Sequence, residues 1–428
     1  MKRPSPPSPH IVVIGAGFAG LACARALRQA PVRLTLIDRR NHHLFQPLLY
    51  QVATAALSPA DIAAPIRAAL RDQRNVRILM AEVTGIDVQA RRIDAGATTI
   101  DYDILVVATG ATHSYFGHDD WERHAPGLKT VGDAVRIRSR FLRCFEAAAQ
   151  TADPARRRAM LTTVVIGAGP TGVEMAGAMI EIAHESLLRD FPEIARDELR
   201  VILLEGSGRV LPGFPDRASR SALRDLRQMG VDVQLDTLAT AIDADGVDIR
   251  RNDTTDRIDS RNVIWAAGVK ASPLGGMLGA ATDRGGRIIV QPDLTLPDHR
   301  EVFVLGDLAC VRDPDSGAEV PGLAPGAMQL GRYCAGVIAR EATGRAAPSD
   351  RPPFRYRDKG MLATIGRGRA VAAMYGRVFA GRLAWLLWAG VHIFYLIGFR
   401  NRVMVMLEWA WQYVTWHRGA RLITGDDD

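Results

Sequence analysis

The stretch HIVVIGAGFAGLACARALRQAPVRLTLIDRR, His10 to Arg40, reads as a complete β-α-β unit. Ile11–Ile14 is a short apolar strand, Leu21–Arg28 has helix-forming composition, and Arg33–Ile37 is a second strand that ends in Asp38. Between the first strand and the helix, Gly15, Gly17 and Gly20 form G-x-G-x-x-G. The first glycine permits a tight turn, the second lets backbone approach a pyrophosphate, and the third lets helix pack close to strand. The helix N-terminus offers N–H groups and positive dipole to phosphates. Asp38 falls where a carboxylate accepts ribose hydroxyls. A lone glycine pattern is weak evidence; here strand, helix, strand and acid agree with it.

The pattern recurs. In LTTVVIGAGPTGVEMAGAMIEIAHE, Leu161 to Glu185, Val164–Ile166 is the strand, Gly167, Gly169 and Gly172 are the glycines, and a helix runs on through Glu174. The segment HESLLRDFPEIARDELR is expected to extend the helical region before the next strand, which ends in Glu205. A carboxylate there repels a 2′-phosphate, so NADH is expected over NADPH, although Arg209 lies nearby. Asp101–Ala111 and Arg261–Ser272 each read as a strand running into a Thr-Gly or Ala-Gly turn, and each closes one nucleotide domain. EVFVLGDLAC places Asp307 directly after a strand, where it can accept from a sugar-alcohol chain. Two dinucleotide sites suggest one tightly held flavin and one exchanging nicotinamide.

At 428 residues the chain is too long for one core. It is 47% hydrophobic and 24% charged, which is globular, and its net charge of +7 calls for an anionic neighbour. Arginines at Arg156–Arg158 and around the C-terminal tail favour a lipid surface or a phosphorylated substrate over nucleic acid. Cys23, Cys144, Cys310 and Cys334 are scattered, without metal-ligand or redox-pair spacing, and suit a reducing compartment. Each reads as a small buried hydrophobe. His42, His43 and His392 match no metal spacing, so no metal is expected. The start, MKRPSPPSPH, carries no apolar signal-like region.

The C-terminal run GRLAWLLWAGVHIFYLIGFRNR, Gly381 to Arg402, resembles nothing earlier in the chain. Leu383–Phe399 is 17 residues of apolar character, short of the ~20 that span a bilayer. Beyond it, Asn401, Glu408, Gln412 and Thr415 fall on one helical stripe, with Met406, Trp409, Tyr413 and Trp416 away from it. Trp385, Trp388, Trp409, Trp411 and Trp416 gather here, with Arg400, Arg402, Arg418 and Arg421 as a cationic fringe. The pattern reads as two helices lying in one membrane face. A helical pair buried in a homodimer interface is the other reading, and both can hold together.

The order GAGFAG, ATG, GAGPTGVE, WAAG and LGD resembles the two-dinucleotide flavoproteins of the glutathione-reductase class. Within that class, NHHLFQPLLYQVATAALSP (Asn41–Pro59) resembles the signature of type II NADH:quinone oxidoreductases, and Gly322–Ala335 and Tyr356–Val371 fit the same family. The resemblance implies that Gly15, Gly17, Phe18, Ala19, Gly20, Asp38, Arg39, Val83, Thr109, Gly110, Gly306 and Asp307 hold FAD, with Gln46 and Leu48 near its ring system. It implies that Gly167, Gly169, Pro170, Thr171, Gly172, Glu205 and Gly268 hold NADH, with Glu174 near the nicotinamide–flavin junction. Gln329 is implied where quinone meets flavin, with Lys359 close by; Glu174, Gln329 and Lys359 are the candidate catalytic residues. The family's quinone motif departs here: Pro325 stands where a glutamine is usual.

The expected fold is α/β. Two Rossmann-like domains, an FAD domain at 8–115 and 285–345 and an NADH domain at 155–275, are joined by a helical segment at 116–154. A C-terminal amphipathic anchor and quinone-access region occupies 350–428. The expected activity passes two electrons from NADH through FAD to a membrane quinone, without pumping protons, at the cytoplasmic face of the membrane by a homodimer. Relatives that reduce disulfides or oxidise sulfide use cysteines beside the flavin, so electrons are expected to leave this flavin directly. Two rivals stay open: a soluble reductase of a small electron-transfer protein, and a low-turnover flavin redox sensor.

Overall fold

The computed structural model describes residues 8–415 and 418–424, so Trp416 lies outside the described residues. The chain divides into two compact units. The first gathers Met1–His43, Ala64–Thr112 and Val269–Asp358; the second gathers Leu44–Ala63, His113–Gly268 and Lys359–Asp428.

The first unit is built on a five-stranded parallel sheet. In spatial order its strands are Val302–Val304, Ile104–Val107, His10–Ile14, Arg33–Asp38 and Val76–Met80. Ile11 pairs with Leu34 on one side and Ile104 on the other. Central strands of a parallel sheet are covered on both faces and need continuous apolar runs. Ile11, Val12 and Val13 are accordingly solvent-free. The first glycine helix is Phe18–Ala26, starting three residues before the sequence suggests, so that Gly20 sits within it. A second helix, Ala324–Ala342, packs across it. Gly331 is the contact: a Cβ there would lie 2.2 Å from the Ala19 carbonyl oxygen. Pro325 stands in the first turn of that helix, where no intrahelical donor is lost.

The second unit repeats the plan with four parallel strands. Their spatial order is Val231–Gln234, Arg200–Leu204, Thr162–Ile166 and Asn262–Trp265. The second glycine helix is Pro170–Ile182. Its extension is shorter than the sequence suggests. The helix loosens into a π turn at Ala183–Leu187 and a short Leu188–Asp190 helix, and only a 3-10 turn at Arg196–Glu198 follows. The helix Val131–Gln150, opened by a Thr130–Asp133 capping box, packs against Leu49–Ala53.

A meander of three antiparallel strands, Met361–Gly366, Arg369–Met374 and Arg377–Ala380, belongs to this unit. Its first strand lies on the second glycine helix so closely that a Cβ on Gly177 would sit 1.7 Å from the Ile365 carbonyl oxygen. The meander runs directly into two tail helices, Gly381–Tyr395 and Phe399–Thr415. The long apolar run is therefore broken, and Gly398, at φ +92°, makes the corner. Among the described residues no helix is long and apolar enough to cross a membrane.

Candidate active site

In the first unit the turn is held by hydrogen bonds that the strand ends supply. The Gly15 amide donates to the Ile37 carbonyl at 2.8 Å. Gly15 has φ +98°, and a Cβ there would meet the Ala108 carbonyl at 2.4 Å, so no other residue fits. Asp38 accepts from the Ala16 amide at 2.7 Å and from the Arg40 amide at 2.8 Å. Its carboxylate thus fixes the loop and keeps lone pairs for a ligand. Arg39 beside it is exposed.

Several polar groups around this turn lack protein partners. The Thr109 hydroxyl is buried and unpaired beside Gly110, whose surroundings are open. Buried His43 donates through Nδ1 to the Ala16 carbonyl at 2.8 Å, so its Nε2 is an unpaired acceptor. Burial lowers its pKa and keeps the ring neutral. Phe18 meets that ring edge-on at 5.1 Å. Gly306, at φ +70°, turns the chain beside Ala19, and Asp307 follows half-buried. Val83 is buried at the start of its strand. Open space over Gly17 and Gly110, an orphaned hydroxyl and the spare lone pairs of Asp38 fit a dinucleotide.

In the second unit the Gly167 amide donates to Leu204 at 2.7 Å, and the Ala168 amide donates to Glu205 Oε2 at 2.7 Å. Ser207 caps the other Glu205 oxygen through its amide at 2.9 Å and its hydroxyl at 2.7 Å. Arg209, the group that could have favoured a 2′-phosphate, is committed to Asp216 and to the Phe214 carbonyl. Gly169 faces open space, Pro170 and Thr171 are exposed, and Gly172 packs on the Gly167 carbonyl. At Gly268, φ +75°, a side chain would strike Phe116.

One turn along the second glycine helix, Glu174 points into a cleft of about 100 Å³. Burial pushes its pKa up to about 8, and one weak bond from the Thr364 amide at 3.4 Å opposes this only partly. The cleft is roofed by the tail helices. Trp388 and Trp409 stack at 5.1 Å between centroids. Trp409 Nε1 donates to Gln51 at 2.8 Å, and Gln51 donates to the Tyr50 hydroxyl at 2.8 Å. Trp388 is 2% exposed, and its Nε1 has no partner. At the cleft's far end Arg418 pairs with Glu181 at 3.2 Å and donates to the carbonyls of Thr54 and Ala178. Burial raises the Glu181 pKa and Arg418 offsets part of it.

This corrects the reading of the tail arginines as a fringe. Arg418 is buried in an ion pair, Arg421 pairs with Asp190, and Arg402 donates to the carbonyls of Leu396 and Phe394. Arg400 alone of the four is exposed. The polar stripe of the last helix also faces the protein. Asn401 donates to the Ala60 and Ala63 carbonyls and Gln412 to Ala56. Leu407, Trp411 and Val414 point outward at 59%, 59% and 79% exposure.

The pyridine nucleotide-disulphide oxidoreductase family model matches residues 9–331. Two type II NADH:quinone oxidoreductases of Mycobacterium tuberculosis, NdhA and Ndh, are 46% and 44% identical. The alignments cover 97% and 98% of this chain and 89% and 91% of theirs. The chain belongs to the type II NADH:quinone oxidoreductases. It is thus an enzyme, a flavoprotein that works with FAD and NADH. The NDH2 structure from Plasmodium falciparum in complex with NADH has the same fold, with a TM-score of 0.88 at 19% identity, covering 98% of this chain and all of that one. The sulfide:quinone oxidoreductase of Aquifex aeolicus shares the fold at a TM-score of 0.72 and 20% identity, over 92% of each chain.

In this type II NADH:quinone oxidoreductase the four cysteines are free and buried. Cys23 and Cys334 do meet, where the helices of the first unit cross, and burial raises the Cys334 thiol well above its ordinary range. A neutral, solvent-free thiol is a poor nucleophile. Gln329, in the first unit, spends both ends of its amide on Arg357. It donates to that carbonyl and accepts from that amide, each at 3.0 Å. Lys359 is exposed. Gln46 is half-buried, whereas Leu48 is fully buried core. The cleft around Glu174 gathers Tyr50, Gln51 and Glu181, to which the sequence assigns no role, and Trp388 and Trp409, which the sequence places on the membrane face and the structure turns inward. The signal for two of them was present, since Tyr50 and Gln51 lie inside the Asn41–Pro59 signature.

Proposed function

We propose that the enzyme draws its quinone from the bilayer at the tail helices and reduces it with electrons from NADH, without moving protons across the membrane. The observation that carries this reading is the inverted last helix, Phe399–Thr415: Asn401 and Gln412 bond to protein carbonyls while Phe399, Leu407, Trp411 and Val414 face outward. Exposed apolar side chains are costly in water and stable in a lipid interface. The enzyme is peripheral on this reading, lying on the cytoplasmic face, and a homodimer is compatible with it.

When bound, FAD supplies the electron relay between nicotinamide and quinone. The first glycine turn holds its pyrophosphate, with Gly15, Gly17, Phe18, Ala19 and Gly20 at the phosphates. Asp38 and Arg39 lie at the ribose, and Val83, Thr109, Gly110, Gly306 and Asp307 line the remainder. Gln46, whose side chain has no hydrogen-bond partner among the described residues, would border the ring system, whereas solvent-free Leu48 would not touch it. The second turn holds NADH through Gly167, Gly169, Pro170, Thr171, Gly172 and Gly268. Glu205 receives the ribose, and its negative charge with a committed Arg209 selects against a 2′-phosphate.

Glu174, with a pKa near neutrality, holds a proton at its carboxyl that it can give up at physiological pH. Trp388 and Trp409 wall the same cleft, so a quinone oxygen entering there meets the Glu174 carboxyl and an aromatic wall. Gln329 acts through Arg357, fixing the segment that carries Lys359.

An anaerobic titration tests the reading. NADH is added until the flavin absorbance near ~450 nm bleaches, and a short-chain quinone follows. Prompt return of the oxidised spectrum is expected. Bleaching without return points to a protein acceptor or a sensor. A variant lacking Arg377–Asp428 that stays soluble and fully active overturns the membrane part.

A further inference from the structure

The helix Asp216–Met229 of the second unit carries Arg217, Arg220, Arg224 and Arg227. Their spacing of three, four and three residues puts them on one face. All four are exposed, while Ala218, Ala222 and Leu226 on the opposite face are solvent-free. Several other arginines of this unit are paired: Arg157 with Glu198, Arg257 with Asp243, Arg261 with Asp245, Arg418 with Glu181. Among the described residues no carboxylate lies within 4 Å of Arg217, Arg220 or Arg227. Arg224 reaches only Ser221 and its neighbour Asp225. Three of the four guanidiniums, with Leu223 and Gln228, line a shallow groove of about 540 Å³.

The position of this face gives it meaning. Its helix packs on the strands Arg369–Met374 and Arg377–Ala380, and Arg369 donates to Gln228 at 2.9 Å. The second of these strands carries exposed Arg377 and leads straight into the tail helix, where Arg382 is exposed too. The basic face is therefore joined through one short meander to the helices that expose Leu383, Leu386, Phe399 and Trp411. From Arg217 to Arg227 the row is roughly 15 Å long at 1.5 Å per residue. A single soluble phosphate engages one or two guanidiniums. A row of this length suits a surface that repeats its negative charges.

We propose that the arginine face of Asp216–Met229 binds the phosphates of anionic lipids, a contact with the bilayer separate from the apolar tail helices. This rests on the membrane reading above and adds to it a preference for lipid class. The apolar helices supply affinity for any bilayer; the arginines supply discrimination and salt dependence.

The test is partition of the full-length enzyme onto vesicles of phosphatidylcholine alone and of phosphatidylcholine with phosphatidylglycerol. Wild type is compared with R220Q/R224Q/R227Q. Each arginine near an anionic surface is expected to raise partition roughly fivefold at low salt. The triple variant should lose most of the gain that phosphatidylglycerol gives the wild type, and keep its binding to neutral vesicles and its bleaching by NADH. The wild-type gain should shrink as salt rises. An unchanged gain in the triple variant overturns the proposal. So does complete suppression of the gain by millimolar inorganic phosphate at constant ionic strength, which would make the groove a site for a soluble anion. Weak binding to neutral vesicles by both proteins would count against the tail helices alone, because the phosphatidylglycerol gain is read independently.

Discussion

In the turn at Gly15 the Ala16 amide donates to Asp38 at 2.7 Å; in the turn at Gly167 the Ala168 amide donates to Glu205 at 2.7 Å. Both first glycines have φ +98°. The two turns are the same device, yet the helices that follow them are braced differently. The first glycine helix is crossed by another helix, and the tight contact at Gly331 is helix on helix within the nucleotide unit. The second is braced by a strand of the meander that feeds the tail, through Gly177 and Ile365. It also carries two half-buried carboxyls that reach the C-terminal segment, Glu174 at Thr364 and Glu181 at Arg418. One dinucleotide site is closed on itself. The other is tied mechanically to the two tail helices. That difference suits a cofactor that stays and a substrate whose binding must be matched to that of a quinone.

The tie can be broken at its strongest point. Replacing Arg418 by Met removes the ion-pair partner of the half-buried Glu181, leaving only Arg367 to offset its charge, and should cost about 4 kcal/mol in thermal or denaturant unfolding. Adding Glu181→Gln should recover most of the loss, because both members of the pair are then neutral. Failure to recover would mean that Arg418 acts by packing, not by charge. Next in size is a matched pair. Gly177→Ala and Gly331→Ala each push a methyl into a carbonyl oxygen, and each should cost about 3 kcal/mol. Their signatures should differ. Gly331→Ala is expected to lower the flavin-to-protein ratio. Gly177→Ala should keep flavin and expose the Arg367–Gly376 region to protease. Equal flavin loss in both would erase the contrast between the two helices.

A smaller effect follows from pH. Burial holds the Glu174 pKa near about 8, above its ordinary 4.5. Between those values the folded protein binds a proton that the unfolded chain has released, so stability falls as pH rises through the window. Glu174→Gln lacks this proton and should be stabilised relative to wild type at pH 8 but not at pH 4.5, by about 2 kcal/mol once water reaching the cleft is allowed for. Glu181 is shifted in the same direction, but it is present in both proteins and cancels. Parallel stability curves for the two proteins would mean that Glu174 ionises normally and cannot hold its proton at neutral pH.

What could be read from sequence was what sequence-local physics controls. Strand, turn, helix and acid are close in the chain, so both glycine turns and the places of Asp38 and Glu205 were visible. The tail showed its two helices for the same reason: apolar periodicity is local. What could not be read depends on who sits opposite. Arg418 looked like one more surface arginine because nothing nearby in sequence announces Glu181, 237 residues away. Asn401 and Gln412 formed a polar stripe, but only the fold supplies the Ala60, Ala63 and Ala56 carbonyls that turn it inward. Gln329 had the right motif position, and the structure shows its amide bound at both ends to Arg357. The π turn after Ile182 likewise replaces the long helix that composition favours.

The finest test of the comparison is at Trp409. Its indole N–H closes the chain Trp409–Gln51–Tyr50, which links the last tail helix to the signature segment inside the second unit. Trp409→Phe keeps an aromatic ring against Trp388 but removes the donor, leaving a buried Gln51 oxygen without its partner. The stability cost should be about 1 kcal/mol, the ordinary value of one hydrogen bond. The kinetic signature is more telling than the stability. If this chain positions the tail helix over the cleft, the variant should show a raised KM for a long-chain quinone and an unchanged rate of flavin bleaching by NADH. A short-chain quinone, which has little tail to guide, should be affected less. Equal effects on both quinones would assign Trp409 to packing alone. An altered bleaching rate with quinone kinetics intact would place the link on the nucleotide side of the cleft.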